Sequence, residues 1–200
     1  MRWLQPISIL CLWGMLAWAW DAAAQLPPVP PPVVQKRVDC SRPQYASDGL
    51  VCGDATLLAA DADVAALAAA TDPVLANGAM WEPQDAWFRR RGLCAFQADH
   101  RGCLETAYAD RKAVLDAATA APGQALRCDG IWRGRALTAG EFTAGKAVAI
   151  AGGPTLMAVA SPKPAENAQW QPLLTWHRAG KRIVLQGADG MRMTCRPALR

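Results

Sequence analysis

Residues 84–115 read QDAWFRRRGLCAFQADHRGCLETAYADRKAVL. Gln84, Trp87, Arg91 and Cys94 stand three, four and three residues apart, so a helix would carry all four on one face. Cys103 follows Cys94 by nine residues. A disulfide needs Cα atoms within about 7 Å, so pairing these two requires 95–102 to turn the chain back. The result is a stapled helical hairpin in which Trp87 packs against Tyr108. The third helical stretch then runs from Leu104 through Tyr108 and Leu115 to Ala118. Working back from Gln84, Asn77-Gly78 is a break between helices. Before it, Asp54 to Ala70 is alanine-rich with Leu57, Leu58, Val64 and Leu67, and Asp54 is placed to cap a helix over that span. Cys40 and Cys52 would tie the preceding segment to this first helix.

Working forward, Ala121-Pro122-Gly123 marks a change of texture. Short apolar runs follow at Ala147 to Ile150, Leu156 to Val159, Leu173 to Trp176 and Ile183 to Leu185, punctuated by Gly, Pro or Asp. Runs of this length and spacing predict strands of a small antiparallel sandwich or barrel. Cys128 and Cys195 lie at its two ends, and a bridge between them stabilises it by about 4 kcal/mol through the entropy removed from the unfolded loop. The expected fold class is therefore α+β in two small domains, a disulfide-stapled helical domain over 39–121 and a β domain over 125–200.

The chain has seven cysteines. Its start runs apolar from Ile7 through Cys11 to Trp20 and ends in Ala22-Ala23-Ala24, the pattern of a secretory signal peptide over 1–24. Pro6 and Asp21 bracket a core shorter than the roughly 20 apolar residues of a membrane span; the alternative is an uncleaved anchor helix. Cleavage before Gln25 removes Cys11 and leaves Cys40, Cys52, Cys94, Cys103, Cys128 and Cys195. An even set without C-x-x-C spacing, in an oxidising compartment, predicts three bridges and a periplasmic or secreted location. A Pro-rich linker over 25–38 carries five prolines between Leu26 and Pro32, which hold it extended.

Charge divides where the texture does. Gln25 to Gln124 carries nine Lys plus Arg against twelve Asp plus Glu, net −3, whereas Ala125 to Arg200 carries eleven against four, net +7. A basic half favours an anionic envelope polymer or lipid headgroup, or else is simply a soluble basic surface. The same charge would also suit nucleic acid, which an exported protein rarely meets. Only His100 and His177 are present, far apart and without ligand spacing, so neither metal nor cofactor is expected. Enzyme chemistry is not expected either, because no nucleophile, histidine and carboxylate stand in a recognisable arrangement. Asp99 beside His100 and Gly152-Gly153 read as loop and turn. Trp81, Trp87, Trp132, Trp170 and Trp176 read as core, or else as a glycan-binding surface.

Three linked blocks carry a resemblance. They are Asp48-x-x-Val51-Cys52-x-Asp54-x-x-Leu57-x-x-x-Asp61, then Gln84-x-x-Trp87-x-x-x-Arg91-x-x-Cys94, then Cys103-Leu104-x-x-x-Tyr108-x-x-Arg111-x-x-x-Leu115. Together they resemble the LprI-type N-terminal domain, a secreted, disulfide-bonded helical domain, some members of which are described as lysozyme inhibitors. Asp48 stands where that family usually has Glu, and Ala60 where it often has Leu. The second half is similar to the MliC-type domain, the β-barrel of inhibitors of c-type lysozyme. The similar stretches are Leu126-Arg127-Cys128-Asp129-Gly130, Leu174 to Gly180, and Met193-Thr194-Cys195-Arg196-Pro197.

In the MliC-type family a serine-bearing loop and a lysine before a glycine enter the lysozyme cleft. Here the corresponding positions are Ser161, without the family's Gly and Tyr, and Arg178, one residue further from its glycine. The resemblance implies c-type lysozyme as a protein partner, with Ser161 and Arg178 as its contacts. Lysozyme works with two carboxyl groups, which a guanidinium and a hydroxyl would engage. The competing reading is an envelope-binding module whose basic half holds an anionic polymer.

Overall fold

The computed structural model describes residues 34–71, 74–120 and 123–198. The expected leader and the prolines of the linker lie outside the described residues. The described residues are mixed α+β, with four α-helices, a β-barrel and three disulfides.

The helices are α1 (Ala46–Gly53), α2 (Ala55–Ala70), α3 (Gln84–Arg91) and α4 (His100–Ala118). As the sequence predicts, Asp54 caps α2, accepting from the backbone N–H of Thr56 and Leu57; such a cap is worth about 1 kcal/mol. The expected face from Gln84 to Cys94 is carried by α3 and then by a tighter 3₁₀ turn over Gly92–Phe96. Asp99 opens α4 by accepting from Gly102 N–H, so the pair with His100 is a helix start. The His100 ring lies 3.0 Å from the Ser47 hydroxyl. Trp87 meets Tyr108 edge to face at 5.5 Å between centroids, the contact expected of the hairpin. The bridges are Cys40–Cys52, Cys94–Cys103 and Cys128–Cys195, as the spacing predicts.

Among the described residues eight strands form one sheet: β1 (Leu75–Met80), β2 (Gln124–Cys128), β3 (Leu137–Ala139), β4 (Val148–Gly152), β5 (Thr155–Pro162), β6 (Leu174–Ala179), β7 (Arg182–Gly187) and β8 (Arg192–Pro197). Seven of them, β2 to β8, close a barrel in the order β2-β8-β7-β6-β5-β4-β3. Every pairing in that ring is antiparallel except the closing one, where β5 and β6 run parallel over Ser161↔Thr175 and Pro162↔Trp176. The interior is filled by Leu126, Trp132, Ile150, Leu174, Ile183, Leu185 and Met193, among others, all nearly inaccessible. Trp87, Trp132, Trp170 and Trp176 are buried, and Trp81 is half-buried. The tryptophans are therefore core rather than a glycan platform.

The two-domain arrangement is not confirmed: the helical and β parts fall in the same compact unit. The short β5–β6 closure leaves the earlier part of the β5 edge open, and β1 occupies it in parallel, pairing Leu75 with Leu156 and Met80 with Ala158. β1 comes from the helical half. Asn77-Gly78, read as a break, therefore lies inside a strand, where the register shifts and Gly78 takes a positive φ of 74°. Glycine takes that φ without steric cost, which suits it to such an irregularity in a strand. The small side chains of α4, Ala117 and Ala118, join Val114 and Trp81 against Ala149, Leu156 and Val159 of the barrel wall. Trp170, from the loop after β5, is counted in the core of the helices.

Candidate functional site

An unusual feature of the helical core is its charge. Asp61 sits on the buried stripe of α2 with Leu57 and Val64, and Arg91 and Arg111 sit on the buried faces of α3 and α4. Asp48, Asp61, Arg91 and Arg111 are each at most 2 % exposed. Arg91 donates to Asp48 and to the Tyr108 hydroxyl, both at 2.5 Å, and Tyr108 in turn donates to Asp61 at 2.9 Å. The remaining carboxylate oxygens accept backbone N–H groups, from Val38 for Asp61 and from Gln44 and Tyr45 for Asp48. Arg91 also lies 4.1 Å from the Phe88 ring centroid. Desolvation and the Asp61 carboxylate push the Tyr108 hydroxyl well above its usual range. Asp48, Asp61, Arg91, Tyr108 and Arg111 all belong to the three sequence blocks, and buried together they join α1, α2, α3, α4 and the segment before α1.

A second polar group joins the helices to the barrel. Asp110 of α4 accepts from the Ser161 hydroxyl at 2.5 Å and from Trp170 Nε1 at 3.0 Å. Burial raises its pKa, against the opposing effect of those two hydrogen bonds. Arg90 grips Glu82 with two nitrogens, donates to the Gln171 carbonyl at 2.7 Å, and stacks 4.0 Å over Trp170. Arg111 donates to Gln84 at 2.9 Å, and burial pulls its pKa down to about 10, still cationic at neutral pH. Glu82, Arg90, Asp110, Arg111 and Ser161 line a cavity of about 20 Å³, room for one water.

The two residues expected to contact lysozyme have different surroundings. Ser161 lies near the end of β5, 1 % exposed, with its hydroxyl committed to Asp110; it is not on an open loop, because α4 and Trp170 cover it. Arg178 is exposed near the end of β6, with one guanidinium nitrogen donating to the Phe142 carbonyl at 3.1 Å. It lines an open groove of about 640 Å³ with Arg127, Lys181, Arg196 and Pro197. The ion pairs among the described residues include none of these four cations. Arg127 and Arg196 are register partners across β2 and β8.

Sequence reading did not single out Arg127, Lys181 or Arg196 as a site, nor Asp110 as a tie between halves. A signal for the first existed. Arg127 precedes Cys128 and Arg196 follows Cys195, so bridging those cysteines across an antiparallel ladder sets the two arginines opposite one another. No family model, curated protein or solved structure matches this chain.

Proposed function

We propose that the chain is an exported, non-enzymatic binding protein that inhibits a c-type lysozyme, presenting Arg178 to the carboxyl pair of the lysozyme cleft. The observation that carries this reading is the state of Arg178: exposed, steadied on one side by the Phe142 carbonyl, and without a carboxylate partner among the described residues. A guanidinium fixed in that way keeps donors free for a bidentate grip on a carboxylate. Ser161 has no part in the proposal, since its hydroxyl is spent on Asp110. The three bridges fit an oxidising compartment, and among the described residues no helix is long and apolar enough to cross a membrane. The test is lysis of cell walls by a c-type lysozyme, titrated with the protein lacking residues 1–24. Stoichiometric inhibition that Arg178→Ala abolishes and Ser161→Ala preserves supports the reading. Full lysis at excess protein refutes it.

A specific observation favours a second reading, an envelope-binding module. The four cations of the groove share one open face, and a partner as basic as a typical c-type lysozyme would be repelled from it at long range. An anionic polymer would be drawn in.

A further inference from the structure

The groove beside Arg178 holds more positive charge than a single carboxylate contact needs. Arg127, Arg178, Lys181 and Arg196 all line it, and all four are exposed. Arg127 and Arg196 stand directly opposite one another in the β2–β8 ladder, an arrangement of like charges that destabilises a sheet. The neighbouring register pair, Cys128 with Cys195, is covalently bridged, so the strands hold the two guanidiniums together against their repulsion. One carboxylate offers two coplanar oxygens, so a single arginine fork takes its two outward lone pairs and leaves only in-plane sites for further donors. Three arginines, on β2, β8 and β6, line the groove, and a phosphate group, with oxygens in three dimensions, can accept from several of them at once. The site is concave, and among the described residues its lining beyond these cations is Pro197, with no aromatic or aliphatic side chain to anchor in a bilayer.

We infer that this groove binds a linear polymer carrying phosphate groups, held as a chain and not as a membrane surface. The inference rests on the envelope-binding reading, is independent of lysozyme inhibition, and adds to that reading the ligand's chemistry and the residues that hold it.

The test titrates inorganic polyphosphate of defined chain length into the protein lacking residues 1–24, by calorimetry over a series of salt concentrations. Arg127→Gln/Arg196→Gln should weaken binding at least about tenfold and reduce the slope of log affinity against log salt by about two, one for each phosphate contact removed. Lys146→Gln/Lys163→Gln removes the same net charge from exposed positions outside the groove and should weaken it less than about twofold. Should the first pair fail to fold, Arg127→Lys/Arg196→Lys retains the charge and loses the forks, so affinity should fall while the salt slope stays. Equal weakening by the groove and control pairs overturns the inference. So does binding to phosphatidylglycerol vesicles without binding to polyphosphate. Polygalacturonate binding as tightly as polyphosphate overturns the phosphate assignment while sparing the envelope-binding reading; absence of binding to both polymers sinks the two together.

Discussion

Replacing Arg91 with Met tests whether the charged core of the helices is a stabilising unit. The side chain is fully buried, as is that of Asp48, and Asp61 is 2 % exposed. Met keeps most of the stem's volume, so little packing is lost, but both carboxylates then lie in a helical core without their cation. Breaking a buried pair by removing one partner costs about 3–5 kcal/mol, because the abandoned charge stays desolvated. For a chain of this size each kcal/mol lowers Tm by about 2–4 °C, so the variant should melt about 6–20 °C lower. The measurement is calorimetric and urea unfolding at pH 7 with the disulfides intact. Lys112→Met is the control: its pair with Asp116 is about half exposed on both sides, and its loss should stay within about 0.5 kcal/mol. A double-mutant cycle with Asp48→Asn should return a coupling of at least about 1 kcal/mol. A loss below about 1 kcal/mol for Arg91→Met, or additive effects in the cycle, would refute the argument.

Asp110 predicts a pH dependence. Its folded pKa is raised above 3.8 by burial, so the folded state holds that proton more tightly than the unfolded state. The stability it contributes is complete below pH 3.8 and is lost as pH rises through the raised value. Against Asp110→Asn, wild-type Tm should therefore decline as pH rises above 3.8, and a parallel pair of curves would contradict this. Cys128→Ser/Cys195→Ser opens a loop of sequence separation 67 and should cost about 4 kcal/mol; a reducible wild type with unchanged Tm after reduction would argue otherwise. A Cβ at Gly102 would run into the Asp99 carboxylate that caps α4, so Gly102→Ala should cost about 1 kcal/mol, measurable by urea unfolding.

Local physics made much of this protein legible in its residues. The capping Asp54, the alanine-rich run after it, and the spacing of Gln84, Trp87, Arg91 and Cys94 each act within one or two helical turns, and all appear where expected. The three bridges followed from reach and turn geometry. The sequence also contained the opposition of Arg127 and Arg196, as a consequence of one bridge and one antiparallel register.

What pairs over long separations needed the tertiary structure. Asn77-Gly78 carries a turn's chemistry, and only the open edge of β5 turns it into a bulged strand. Ser161 before Pro162 looks like a loop residue; it is buried because Asp110, 51 positions earlier, comes to rest beside it. Asp61 and Arg91 carry charges that one helix cannot bury alone, and they are core because four elements bring their partners within hydrogen-bond range. Periodicity records which face of an element is apolar, whereas the choice of partner for each face is set by packing between segments that the periodicity does not relate.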